Sequence, residues 1–307
     1  MKTQFPNGEY PVMLTPFTED NRVDYAALKR LVEWYIDNGV AGLFADCQSS
    51  EMFFLSLDER EKIARAVVEY AAGRVPVVAS GHVSETLDEQ VRELCVIAET
   101  GVDAVILLTN RLAREEESDE VWLSNLKALL AQLPDDVALG FYECPYPYKR
   151  IISPENLKWC ADTGRFFFLK DTSCDIENMR QKLEVIQGTN MKLFNANTST
   201  LLETLEMGAA GFSGVMANFH PKLYAWLCGN FQKEPKKARI VADFLTIASL
   251  IERQVYPMNA KYYQKMIKNF DSITTRSKDV SEFGKTQELE VEQLARMQSW
   301  IEKVCEI

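Results

Sequence analysis

The chain has 307 residues, of which 47% are hydrophobic, enough for one large domain or two modest ones with a proper core. Its net charge of −11, with no Lys/Arg cluster among aromatics, argues against nucleic acid or an anionic membrane as a partner, and no segment reaches the roughly 18 apolar residues that a membrane span requires. Seven cysteines, odd in number and without CxxC spacing, suit reduced thiols in a cytoplasm, and the opening MKTQFPNGEYPV lacks the apolar core of a signal peptide.

Eight short apolar runs follow in chain order, PVMLTPF, AGLFAD, PVVASG, AVILLT, ALGFYE, FFFLKD, KLFNAN and GFSGVM, beginning at Pro11, Ala41, Pro76, Ala104, Ala138, Phe166, Lys192 and Gly211. They are largely continuous rather than alternating, as parallel strands covered on both faces require. Between them lie helical stripes: Leu28, Leu31, Val32 and Tyr35, then Ile63, Val67 and Tyr70, and later Leu201, Leu202 and Leu205. Asp24, Asp58, Ser153 before Pro154, and Ser199 stand where helix N-caps are wanted. Serial strand–helix units without GxGxxG or GxxxxGK[ST] predict an α/β fold, a (β/α)8 TIM barrel over residues 1–234, rather than a doubly wound sheet. Residues 235–307 keep a helical period and predict a C-terminal extension, broken at Pro257 and across Asp271 to Lys278.

Barrel enzymes build their sites at the carboxyl ends of the strands. Those ends bring Thr15, the Asp46 to Glu51 loop, His82, Asn110, Tyr142, Glu143, Lys170, Asn195, Asn197 and Gly214 to one rim. Lys170, at the end of an apolar run, has two readings. Its stem can cover phenylalanines while the amine reaches water, or the amine can be held among apolar groups, lose its charge and become a nucleophile toward a ketone. Tyr142 is likewise either a core tyrosine or a proton shuttle on the neighbouring strand. The hydroxyl-rich loop after strand two favours the catalytic pair. His82 reads as a hydrogen-bonded loop histidine or a substrate contact, Cys47 as packing, and Glu115 to Glu117 as a solvated helix start. Two histidines without ligand spacing give no metal site.

At these residues the sequence resembles the dihydrodipicolinate synthase / N-acetylneuraminate lyase family of pyruvate-dependent class I aldolases. Thr15-Pro16-Phe17 is similar to the family's TPF after strand one, LSLDER to the helix entry after its GTTGE loop, FYECP to its YxxP motif, FLKDTS to its IK[ED][AST][ST], and GFSGVMANFHP to its strand-eight glycine turn. The resemblance implies catalytic roles for Lys170 (imine formation), Tyr142 (proton relay) and Ser49. It places Gln48, Ser50, Thr15, Asn110, Glu143, Asn195, Asn197 and Gly214 as substrate contacts. It implies no metal or organic cofactor, a covalent imine on Lys170, pyruvate and an aldehyde as small-molecule partners, and a homotetramer built as a dimer of dimers.

Three positions depart from the synthase pattern. Asn110-Arg111-Leu112 stands at its Pro-Tyr-Tyr turn, Gln48 at its first relay hydroxyl, and Pro147 at the arginine that grips the aldehyde's carboxylate. A lyase for a 2-keto-3-deoxy sugar acid or related 2-oxo acid is therefore expected ahead of 4-hydroxy-tetrahydrodipicolinate synthesis. A metal-dependent aldolase using His82 with Asp46 or Glu143, and a non-catalytic 2-oxo-acid binding protein, are the rivals from other classes.

Overall fold

The computed structural model describes residues 5–307, so the first four residues of the expected barrel domain and of the N-terminal reading lie outside it. Eight parallel strands occur where the apolar runs predict them, with one shift. They are β1 (Gly8–Glu9), β2 (Leu43–Phe44), β3 (Val77–Ser80), β4 (Ala104–Leu108), β5 (Leu139–Tyr142), β6 (Phe166–Asp171), β7 (Lys192–Asn195) and β8 (Gly211–Phe212). The first strand begins before Pro11, because the Gly8 amide is the group that meets β8, donating to Ala210 O at 2.9 Å. PVMLTPF contributes only a single parallel bridge, Val12 to Phe44. That bridge matters for closure: the sheet runs β1-β8-β7-β6-β5-β4-β3-β2, and Val12 joins its two ends.

Eight helices alternate with the strands: α1 (Tyr25–Asp37), α2 (Leu57–Ala71), α3 (Leu87–Ala98), α4 (Asp119–Leu130), α5 (Pro154–Asp162), α6 (Ile176–Ile186), α7 (Leu201–Glu206) and α8 (Pro221–Asn230). Asp24 caps α1 by accepting from the Ala27 amide, and Ser153 precedes Pro154 at the first position of α5. Two expected caps move. Ser56, not Asp58, caps α2 in a reciprocal box with Glu59, because the hydroxyl reaches the Glu59 amide while the Glu59 carboxylate reaches back. Asn197, not Ser199, caps the turn before α7, accepting from the Thr200 amide. The remainder folds as α9 (Pro235–Ala248), α10 (Met258–Met266) and α11 (Lys285–Cys305), interrupted at Pro257 and across Asp271 to Lys278.

Two apolar layers result. Outward side chains of the strands pack on the helices, and the same cluster takes in Val241 and Leu245 of α9 and Val291 and Ile301 of α11. Inward side chains fill the barrel: Tyr10, Phe44, Val78, Ile106, Phe168 and Phe194, with Phe168 stacked on Phe194 at 4.3 Å. A register shift sets which side chains of FFFLKD point inward. Phe166 pairs with Leu139 but Phe168 with Gly140, so Phe167 is one residue in excess and the alternation restarts after it. Gly140 is required there, since a Cβ would lie 2.7 Å from Phe168 O. From that point Phe168 and Lys170 face the interior, and Tyr142 lies directly opposite Lys170 in the ladder.

Candidate active site

A cavity of about 550 Å³ opens at the carboxyl ends of the strands. Lys170 and Tyr142 line it with Gln48 and Ser49 from the loop after β2, Asn197 after β7 and Gly214 after β8. Gly214 lets the backbone approach closely, as a Cβ there would meet Ala196 O at 2.5 Å.

The cavity's chemistry centres on an amine with no partner. Lys170, Lys182 and Lys261 are all buried, and the last two are ion-paired. Lys182 Nζ sits between Glu143 (2.6 Å) and Asp171, and Lys261 Nζ meets Glu51. Among the described residues no carboxylate or other acceptor bonds Lys170. Its Nζ lies 4.1 Å from the centre of the Tyr142 ring and 5.7 Å from that of Phe44. Burial pushes its ammonium down to about 8, against the opposing pull of Cys47, Cys144 and Glu252. A fraction of uncharged amine is thus present near neutrality, facing an open cavity.

Around it stand hydroxyls and amides. Tyr142 Oη donates to Gln48 Oε1 at 3.4 Å, and burial raises its phenol well above the ordinary value. The turn Gln48–Ser50 spends the amides of Cys47, Ser50 and Glu51 on its own closure. Among the described residues the Gln48 and Ser49 amides have no backbone acceptor, so the anion cradle expected of the whole loop narrows to these two residues and the Ser49 hydroxyl.

Five expected substrate contacts do not line the cavity, and polar atoms of each are engaged by backbone groups, threonine hydroxyls or a buried ion pair. Ser50 Oγ faces Ala45 O (2.6 Å) and Met13 O (2.7 Å), and Thr15 Oγ1 donates to Ser50 O at 2.8 Å. Asn110 Nδ2 is shared among the carbonyls of Cys144, Tyr146 and Tyr148 at 2.7 to 2.9 Å, so it shapes the loop after β5. Glu143 is held by Lys182 and also accepts from the Ile152 and Thr172 amides. Asn195 Nδ2 donates to Thr200 and Thr204, and its Oδ1 accepts from the Asn197 amide. His82 is structural: Nε2 accepts from the Leu108 amide at 2.8 Å, Nδ1 meets Gln90, and burial lowers it to about 4. That removes the histidine the metal-dependent rival needed, and no group of three His, Cys, Asp or Glu suited to a metal occurs among the described residues. Cys47 packs against Met13 O and Ser50.

Sequence reasoning missed the wall supplied from the C-terminal extension: Glu252, Tyr256, Ser277 and Lys278. It is anchored by Glu51, whose backbone is left-handed at φ 63°. Besides Lys261, that carboxylate accepts from Thr275 Oγ1 and the Arg276 and Ser277 amides. Burial works to raise the Glu51 carboxyl, and these donors outweigh it, leaving it below the usual range. The only sequence signal was an acidic residue in a pocket loop, whose partner is 210 positions away.

An unpaired, buried lysine facing a neighbouring-strand tyrosine at the mouth of an eight-stranded barrel is the expected geometry, and residues 6–276 match the profile of the Dihydrodipicolinate synthetase family. The chain belongs to that family. Membership makes it an aldolase-type carbon–carbon lyase. One relative, the 4-hydroxy-tetrahydrodipicolinate synthase of Pseudoalteromonas atlantica, is 25% identical over 272 residues, covering 85% of this chain and 89% of its own. Among solved structures, a monomeric dihydrodipicolinate synthase variant superposes with a TM-score of 0.88 at 18% identity, covering 98% of this chain and 99% of its own. The chloride-inhibited dihydrodipicolinate synthase of Acinetobacter baumannii, in complex with pyruvate, gives 0.85 at 20% identity, with 95% and 99% covered. At these identities the structural likenesses speak for the fold.

Proposed function

We propose that this dihydrodipicolinate synthetase family member joins Lys170 to C2 of pyruvate, or of a pyruvate-derived 2-oxo acid, and makes or breaks a carbon–carbon bond to an aldehyde, without metal or organic cofactor. The observation that carries it is the unpaired Lys170 amine, set against Tyr142 in a cavity open to solvent. A related fold binding pyruvate agrees with the substrate class.

The uncharged amine attacks the ketone carbon, the carbonyl electron pair moves to oxygen, and Tyr142 carries a proton from nitrogen to that oxygen. A second proton lets the oxygen leave as water while the nitrogen lone pair forms the iminium. In the lyase direction the C4 hydroxyl loses its proton, the C3–C4 bond breaks to an aldehyde, and its electrons enter the enamine. Protonation at C3 and addition of water then return pyruvate and the free amine. Gln48, Ser49 and Asn197 hold the substrate, with carboxylate binding at the two open amides.

The acceptor side favours a 2-keto-3-deoxy sugar acid or related aldol, since Pro147 stands where the synthase has its gripping arginine; aspartate semialdehyde is the alternative. Self-association into a tetramer is supported by exposed apolar side chains on two helices, Ile240 and Ile247 of α9 and Trp300 and Val304 of α11. A cytoplasmic location is supported by seven free thiols; no described helix is long and apolar enough to cross a membrane.

Borohydride reduction with saturating pyruvate should add one pyruvate-derived mass to the peptide containing Lys170. No adduct, or one elsewhere, would reject the imine mechanism. Pyruvate release from a panel of 2-keto-3-deoxy acids, with aspartate semialdehyde condensation alongside, separates the two acceptor readings. A protein that forms the adduct but turns over none of them would be a binding protein.

A further inference from the structure

An aldol reaction has two oxygens to serve: the C2 oxygen that leaves during imine formation, and the acceptor oxygen that is alkoxide at the moment the carbon–carbon bond forms. Tyr142, paired with Lys170 across β5 and β6, is placed for the first. It is poorly placed to pass protons further, because its recorded partner is the amide oxygen of Gln48, which accepts but has no proton to give.

A second phenol lines the same cavity from the other side of the rim. Tyr256 enters from the segment between α9 and α10, against residues that follow β8 and β2. Its oxygen accepts from Asn218 Nδ2 at 3.2 Å, and it lines the cavity together with Ser49. The Asn218 amide has only one workable orientation. Its nitrogen also faces Val12 O and Val215 O at 2.9 Å, while its oxygen accepts from the buried Tyr35 hydroxyl at 2.5 Å. The two Nδ2 protons are shared among Val12 O, Val215 O and, at the longest distance, the Tyr256 oxygen, so the barrel helps to place that oxygen at the cavity. Ser49, the loop hydroxyl expected to act in catalysis, lines the same cavity. Pro257 and Ser277 from the same extension line the same cavity as Lys170.

Resting on the aldolase reading above, we propose that Tyr256 is a further catalytic residue, the general acid for the acceptor oxygen. When the enamine attacks the aldehyde carbon, the carbonyl pair moves to oxygen and takes the Tyr256 proton; the phenolate regains a proton from water in the open cavity. In cleavage the same proton runs backward. An alkoxide is the stronger base, so the transfer is downhill even from a phenol held neutral.

The test uses the full chain and two readouts. Tyr256→Phe should still trap pyruvate on Lys170 at close to the wild-type rate, which also reports an intact site. Its kcat for the aldols that the wild type turns over in the panel should fall by roughly 10²–10⁴, the usual worth of a positioned acid. Turnover within about threefold of wild type, or loss of trapping together with turnover, would overturn the proposal. So would a wild type that traps pyruvate yet condenses it with no aldehyde, since the acid would have no oxygen to serve. A wild type that traps no pyruvate rejects the aldolase reading instead.

Discussion

Lys170, Lys182 and Lys261 are all withdrawn from solvent, yet Lys182 has two carboxylates, Lys261 one, and Lys170 none. The difference leaves Lys170 with a share of uncharged amine, because burial without a counter-charge disfavours the ammonium form. Adduct formation at subsaturating pyruvate should accordingly rise with pH along a limb with its midpoint near 8. It falls below that pH as the amine takes up a proton, whereas an ordinary lysine would place the limb near 10.5. A rate independent of pH from 6 to about 9 would show that the amine's protonation does not control the step. Asp46 gives the opposite kind of prediction. It is fully buried, neither oxygen has a hydrogen-bond partner among the described residues, and burial raises its carboxyl to about 8 despite Arg60. The folded value lies above the unfolded one, so the fold favours the protonated acid. Stability present below about pH 4 drains away as pH rises toward 8, while the unfolded chain is free to ionise. Asp46→Asn should therefore leave stability unchanged near pH 4 and raise it by roughly 1–3 kcal/mol at pH 8, read from denaturant midpoints. A larger gain at acid pH would contradict the argument.

The ends of β5 and β6 are tied from outside the barrel by Lys182 of α6, which holds Glu143 of the loop after β5 and Asp171 at the end of β6. Each of those residues directly follows a cavity residue, Tyr142 or Lys170, so the clamp fixes the strand ends that carry that pair. Lys182→Met leaves two carboxylates in a dry pocket and should cost about 3–5 kcal/mol. Because the strand ends loosen, kcat should fall more than pyruvate affinity; an unaltered thermal melt would remove the clamp from the account. The strap Asp271 to Lys278 depends in the same way on Glu51. Glu51→Gln should speed amide exchange at Arg276 and Ser277, whose N–H groups now end on that carboxylate.

Residues 235–307 read from sequence as a C-terminal helical extension; in the fold α9 and α11 share one apolar cluster with the barrel helices, and the segment before α10 supplies a cavity wall. We propose that the boundary at 234 is one of sequence rather than of folding. A chain ending there should show no cooperative melt, since α7 and α8, which pack on α9, would lose the buried side chains Val241 and Leu245 as cover. A truncated protein melting within a few degrees of the full chain would show two units.

Strand and helix order, the barrel and the Lys170–Tyr142 pair were legible from sequence, because continuous apolar runs, helical stripes and motif spacing are local and each constrains only its own neighbourhood. The same locality set the limits. PVMLTPF looks like a strand, yet its neighbour Gly8 makes the ladder. Phe167 looks like any other phenylalanine until Gly140 forces the bulge that turns Lys170 inward. Asn110, Glu143 and Asn195 have the composition of substrate contacts, but hydrogen bonds engage them elsewhere, to residues 38 and 39 positions on for Asn110 and Glu143 and to Thr200 and Thr204 for Asn195. Tyr256 carries no periodic signal and reaches the cavity only because its segment returns over the barrel mouth. Which polar group stays free for a substrate is decided by whichever partners the fold delivers to it, and those are fixed in three dimensions alone.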